Sequence, residues 1–173
     1  MMKLVVGLGN PGEKYRNNRH NVGRTVVDRM YNLKCKIYNW VKIGEADICK
    51  CGNFILAKAG GGKFMNESGE WVRKLKDFYK VDNKDIVVVY DDLDLEMGRV
   101  LVTDRGPKIH NGVNSVTEII GEGFVHVRCG VDDRGGDRSV PGEVYVLEDF
   151  PDTVVRDELV GKVVGEVVRS LSN

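Results

Sequence analysis

The stretch from Ile86 to Asp92 reads Ile-Val-Val-Val-Tyr-Asp-Asp, an uninterrupted apolar run that ends in two acidic residues. Such a run predicts a strand covered on both faces, as at the centre of a sheet with helices on either side. A similar strand is predicted at Lys3–Leu8, where it ends in the turn signal Gly9-Asn10-Pro11-Gly12. These two strands indicate that the fold is built around a buried sheet.

Further strands and helices alternate along the chain, which predicts an α/β domain. Strands are expected at Phe54–Lys58, Arg99–Thr103 and Phe124–Val131, and helices at Asn21–Leu33, Asn66–Tyr79 and Gly112–Ile120. The last helix opens at Pro151 and Asp152, and its apolar residues recur at three- and four-residue steps from Val155 to Leu171. That stripe is typical of a face packed on a core.

The length and composition predict one globular domain spanning residues 1–173. With 42 % apolar and 30 % charged residues, the chain is unlike disordered or coiled-coil sequences. No apolar run approaches the length of about 20 residues that a membrane-spanning helix needs, and the N-terminal apolar stretch is too short for a signal peptide. We therefore expect a cytoplasmic protein that does not enter a membrane.

Four cysteines are present, at positions 35, 49, 51 and 129. Cys49 and Cys51 flank one residue, and no Cys or His pair stands at zinc-binding spacing around them. Since no secretory signal is visible, we expect four reduced structural thiols rather than disulfides, and no metal site.

The net charge is zero, but the charges are segregated along the chain. Residues 13–29 carry mainly basic side chains, whereas residues 82–96 carry mainly acidic ones. Such segregation can produce a basic face for a polyanion, although charge alone favours an ordinary solvated surface.

Two glycine-rich stretches invite a phosphate-binding interpretation. Gly7-Leu-Gly-Asn-Pro-Gly12 fits the dinucleotide pattern Gly-x-Gly-x-x-Gly, but a polar segment follows it instead of an immediate helix, and Pro11 removes a backbone donor. We therefore favour a tight turn that presents Asn10. Gly60-Gly-Gly-Lys63 is not a P-loop, because Ala57 and Phe64 stand where glycine and Ser or Thr are required.

A polar set remains, with each member at the end of a predicted element: Asn10, His20, Asn66, Asp91 and Asn111. A histidine can act as a general base near neutral pH, a carboxylate can orient it, and asparagine amides can donate to a developing oxyanion. Each residue taken singly also has a structural interpretation, such as a helix cap for Asn66. Spacing in the sequence does not show that the five converge.

Four motifs occur in order: Lys3–Gly12 with Tyr15 and Arg19-His20-Asn21, then Phe64-Met-Asn-Glu-Ser-Gly69, then Asp91-Asp-Leu-Asp-Leu95 with Gly98, and finally His110-Asn-Gly112. Phe124 and Arg128-x-Gly130 follow on a later strand. In these residues the chain closely resembles the bacterial-type peptidyl-tRNA hydrolase family.

The resemblance implies a single, monomeric α/β domain with a mixed twisted sheet flanked by helices. It implies hydrolysis of the ester between a peptide and the 3′ ribose of tRNA, without metal or cofactor. His20 would be the general base that activates water, and Asp91 would orient it. The remaining carried-over residues are Asn10, Asn66 and Asn111, which would position the peptide and the tRNA end, Met65 and Tyr15, which would line the site, and Arg128, a candidate tRNA-phosphate contact.

The loop before His110 departs from the family pattern. Pro107, Lys108 and Ile109 stand where the family has small residues, so this loop is expected to have another shape. Two alternatives follow. The chain could be a catalytically inactive relative that binds RNA or a protein partner, or, on the evidence of the first glycine pattern alone, a nucleotide-binding oxidoreductase.

Overall fold

A computed structural model describes residues 2–172 and shows one mixed seven-stranded sheet with helices on both faces. The strands are β1 (Lys3–Gly7), β2 (Val41–Ile43), β3 (Ala46–Cys51), β4 (Phe54–Ala59), β5 (Ile86–Glu96), β6 (Val100–Thr103) and β7 (Val125–Asp132). The helices are α1 (Val22–Met30), α2 (Ser68–Tyr79), α3 (Asn111–Ile120), α4 (Gly142–Tyr145) and α5 (Thr153–Ser172).

The strand order is β2-β3-β4-β1-β5-β7-β6. The four inner strands, β4, β1, β5 and β7, are parallel, and the antiparallel pairs lie toward the two edges. β5 is buried from Ile86 to Asp92, as its apolar sequence predicts. The prediction of an α/β fold is confirmed. The carboxyl ends of the four inner strands lie side by side along one edge of the sheet, the edge that runs across the strand ends.

Two apolar cores lie on opposite faces of the sheet. One contains α1 and α5, and the other contains α2 and α3. The α5 stripe is buried at Leu159, Val160, Val163, Val164 and Val167, which confirms it as a core face. Within residues 2–172, no helix is both long and apolar enough to cross a membrane.

The first glycine motif serves close packing between α1 and the sheet. A Cβ atom on Gly7 would lie 2.4 Å from the carbonyl oxygen of Gly23, and a Cβ on Gly23 would lie 2.1 Å from that of Val89. Neither contact is possible for a larger residue without a backbone shift. These glycines bring α1, and the segment leading into it, directly against β1 and β5.

Several elements differ from the sequence prediction. The helix predicted to reach Leu33 ends at Met30 and continues as a π-helical turn over Tyr31–Cys35. β5 runs six residues beyond Tyr90, through the acidic run to Glu96. Strands β2 and β3 and the short helix α4 were not predicted.

The cysteine prediction was wrong, because Cys35 and Cys51 form a disulfide with a Cα–Cα distance of 5.6 Å. The bond joins the π-helical turn after α1 to the end of β3. Cys49 and Cys129 are free and buried, and the Cys49 sulfur lies 3.6 Å from that of Cys51. Residues 35 and 51 meet only because the fold places the turn over the sheet, which spacing does not reveal.

Reduction of this disulfide is expected to lower the free energy of unfolding by about 3 kcal/mol, because the bond closes a loop of 16 residues in the unfolded chain. Urea unfolding of the wild type with and without reductant measures the difference. The matched control is Cys35→Ala, on which reductant should have no effect. Four titratable thiols in the denatured, unreduced wild type, instead of two, would contradict the bond.

Candidate active site

A cavity of about 680 Å³ opens at the edge where the inner parallel strands end. Its wall is formed by the turn after β1, the segments before α1 and α2, the second half of β5, the loop before α3, and α4 with the residues that follow it. In open α/β sheets, this edge is where ligands usually bind. Of the predicted site residues, Asn10, His20, Met65, Asn66, Asp91 and Asn111 line this cavity together.

Two histidines converge on the buried carboxylate of Asp91. Nδ1 of His20 lies 2.9 Å from both Asp91 oxygens, and Nε2 of His110 lies 3.0 Å from Oδ1. The Asp91 and His110 side chains are almost fully buried, whereas that of His20 is 13 % exposed. The predicted pairing of His20 with Asp91 is present, and His110 completes a His–Asp–His cluster.

The hydrogen bonds determine which nitrogen of each ring carries a proton. His110 Nδ1 accepts a bond from the backbone N–H of Val113 at the start of α3, so its Nε2–H donates to Asp91. His20 Nδ1–H also donates to Asp91, which leaves the Nε2 lone pair of His20 free. Since His20 lines the cavity, this nitrogen has the lone pair that a general base needs to accept a proton.

Charge within the cluster shifts both ionisation equilibria. Burial lowers the pKa of His20, but the charge of Asp91 and its hydrogen bond outweigh burial and raise the pKa above the ordinary value of 6.5. Burial raises the pKa of Asp91, yet the two histidines and their hydrogen bonds hold it well below its usual range. Asp91 is therefore an anion at neutral pH, and it stabilises the protonated form of His20.

Asn10 is held rigidly at the floor of the cavity. Its backbone N–H donates to Asn21 Oδ1, and Asn21 Nδ2 donates back to the Asn10 carbonyl oxygen, both at 2.9 Å. Asn10 Oδ1 accepts the backbone N–H of Met65 at 2.9 Å. These bonds fix the orientation of the Asn10 side chain, so its amide NH2 is the group left to donate to a ligand.

The other predicted residues differ in how they reach the cavity. Asn66 and Asn111 are exposed, which keeps their amides available to a ligand. Asn66 lies in a 3-10 turn, and it does not cap α2. Tyr15 does not line the cavity but contacts Phe64, which does, in an edge-to-face pair with ring centroids 6.4 Å apart.

Arg128 does not reach the cavity. Its Nε donates to Asp92, and its side chain is 13 % exposed, so its charge is already paired inside the protein. In the basic segment 13–29, Arg19 is buried against Tyr145 and Arg24 donates to the Ala59 carbonyl, whereas Lys14, Arg16 and Arg29 are exposed. Lys108 is the cation that lines the cavity, and it forms no ion pair with residues 2–172.

His126, the third histidine, lies apart from the cluster. Its Nδ1 is 2.8 Å from the Tyr90 hydroxyl, and burial lowers its pKa to about 4. It is therefore neutral at physiological pH, and on β7, beside β5, it packs against Tyr90 and Phe124.

Sequence reasoning did not assign His110 and Asn21 to the site. His110 belongs to the motif His110-Asn-Gly112, and Asn21 follows His20 directly, so both stood next to residues that were chosen. This adjacency to predicted site residues is the feature of the sequence that could have identified them. Their roles, hydrogen bonds to Asp91 and Asn10, depend on contacts between distant segments.

Comparison with known proteins gives one consistent result. The family model for peptidyl-tRNA hydrolase matches residues 4–172. A peptidyl-tRNA hydrolase of Fusobacterium nucleatum is 35 % identical over 99 % of this chain and 90 % of its own, and one of Listeria monocytogenes is 40 % identical over 87 % and 81 %. A solved peptidyl-tRNA hydrolase of Acinetobacter baumannii has the same fold, with a TM-score of 0.77 at 24 % identity over 99 % of this chain and 93 % of that one. The family match and the identities show that this chain belongs to the peptidyl-tRNA hydrolase family.

Proposed function

We propose that the chain hydrolyses the ester that links a peptide to the 3′ ribose of tRNA, with His20 as the general base. The observation that carries the proposal is the free Nε2 of His20, which faces the cavity while Nδ1–H is held by Asp91. An ester needs only a positioned water, a base and oxyanion donors for hydrolysis, so this chemistry uses no cofactor.

In this mechanism, water attacks the ester carbonyl carbon while His20 Nε2 takes one of its protons. Asp91 stabilises the imidazolium that forms. The Asn10 amide donates to the oxyanion of the tetrahedral intermediate. Collapse of the intermediate breaks the bond to the ribose oxygen, which takes the proton back from His20. The products are a peptide carboxylic acid and a tRNA with a free 3′ end.

The exposed amides of Asn66 and Asn111 are proposed to bind the peptide backbone and the terminal nucleotide. Met65, with the Tyr15–Phe64 pair beside it, forms an apolar wall. We assign the phosphate contact near the site to Lys108 instead of Arg128, because Lys108 brings an unpaired positive charge to the cavity whereas Arg128 is paired with Asp92. The protein is proposed to act as a monomer in the cytoplasm, on tRNA released from translation.

The test is release of the acyl group from an N-acetyl-aminoacyl-tRNA by the purified chain. Multiple turnovers are expected, because nothing in the proposed cycle consumes the enzyme. Binding of the tRNA without turnover at high enzyme concentration would contradict the proposal and favour a binding module. A thermal shift with NAD, NADP or FAD would favour the oxidoreductase.

A further inference from the structure

Three large apolar side chains from separate segments line the cavity. Phe64 precedes the turn before α2, Ile109 lies in the loop before α3, and Leu147 follows α4. They are 47 %, 83 % and 46 % exposed, respectively. Convergence of exposed apolar side chains on one concave site is typical of a ligand-binding surface.

Ile109 is the one of the three that adjoins the His–Asp–His cluster in the sequence. It immediately precedes His110, so the Cα atoms of Ile109 and His110 are about 3.8 Å apart. The Nε2–H of His110 donates to Asp91. Pro107 restricts the backbone of the same loop. The His110 ring lies 5.1 Å from the His20 ring, and Ile109 and His20 line the same cavity. We therefore expect the side chain on the α-carbon of an ester bound at His20 to contact Ile109.

The charges at the cavity indicate which side chains this surface accepts. Asp94 and Glu143 both line the cavity and form no ion pair within residues 2–172. Asp92, by contrast, is neutralised by Arg128. Lys108 also lines the cavity and offsets one of these two charges, so the three side chains together keep a net negative charge. A net negative charge beside an apolar surface repels an acidic side chain and leaves apolar contact as the favourable interaction.

We propose that Ile109 is a specificity-determining residue that, with Phe64 and Leu147, binds the side chain of the amino acid esterified to tRNA and favours large apolar side chains over glycine and aspartate. This inference rests on the proposed function, since it names the part of the substrate that the cavity selects.

The test uses one tRNA charged in turn with N-acetyl-leucine, N-acetylglycine and N-acetyl-aspartate. The measured quantity is the ratio of kcat/KM for leucine to that for glycine, compared between the wild type and Ile109→Ala. Comparing variants on the same esters cancels their intrinsic reactivity and the contribution of the tRNA. We expect Ile109→Ala to lower the leucine-to-glycine ratio about five- to tenfold, as expected for lost apolar contact in a binding pocket.

Ile37 provides a matched control. It is 85 % exposed and does not line the cavity, so Ile37→Ala removes the same atoms from an equally exposed position elsewhere. This control should keep the wild-type ratio. Aspartate should be the poorest of the three substrates for the wild type, because Asp94 and Glu143 repel it.

Leu147→Ala provides a second, independent variant should Ile109→Ala disturb its loop, and it should lower the same ratio. An unchanged ratio in both variants, or a wild type that cleaves the three esters without preference, overturns the inference while the hydrolase activity stands. Failure of the wild type to cleave any of the three esters overturns the proposed function and this inference with it.

Discussion

The kcat of the His20→Ala variant on peptidyl-tRNA should be about 10²- to 10⁴-fold lower than that of the wild type, the factor that a positioned general base contributes. The loss should fall on kcat, because the proposed role of His20 is to take a proton from the attacking water. KM should change little, since the proposed contacts to tRNA and peptide are made by Lys108 and the asparagine amides. His20 belongs to neither apolar core, so its replacement by alanine should leave both cores intact.

Acyl release from N-acetyl-aminoacyl-tRNA measures this effect under single-turnover and steady-state conditions. His126→Gln is the control, because it removes a histidine outside the cavity and retains a polar partner for the Tyr90 hydroxyl. That control should keep most of the activity. A His20→Ala rate within about twofold of the wild type, in a variant with native circular dichroism, would rule out His20 as the base.

The sequence predicts the inner strands and the long helices because their apolar residues follow clear periods. β5 is buried from Ile86 to Asp92, and the α5 stripe is buried over its middle part, from Leu159 to Val167. β2 and β3 escaped prediction because Lys42, Asp47 and Lys50 interrupt their short apolar stretches. α4 has four residues, too few to show a helical period.

The site was predictable to the extent that its residues stand at the ends of predicted strands. Asn10 lies in the turn after β1, and Asp91 lies within β5. Because β1 and β5 are parallel neighbours, both residues lie toward the same end of the sheet. The partner of Arg128 and the disulfide of Cys35 were not predictable, because each depends on which distant segment the fold places beside them. Charge and cysteine counts contain no information on that placement.

The Asp91→Asn variant is expected to lose about 10³- to 10⁴-fold of kcat, as when the carboxylate behind a catalytic histidine is replaced by an amide. In the wild type, both His20 Nδ1–H and His110 Nε2–H donate to the Asp91 carboxylate. An asparagine has one acceptor oxygen and presents an NH2 group in place of the other. One of the two imidazole nitrogens that faced the carboxylate must then accept a hydrogen bond from that NH2 group. If this nitrogen is Nδ1 of His20, the ring proton moves to Nε2, and the lone pair that would act as the base is lost.

The same substitution should move the acid limb of the pH–rate profile to lower pH. A general base works in its neutral form, so the rate falls as pH drops through the pKa of His20. In the wild type, Asp91 outweighs burial and the midpoint should lie above 6.5; without the carboxylate charge, burial remains and the midpoint should fall below that value. Measuring kcat/KM from about pH 5 to 8 on both proteins, with chemistry rate-limiting, tests this directly. A common midpoint in both proteins would show that Asp91 does not control the ionisation of the base, whatever the size of the rate loss.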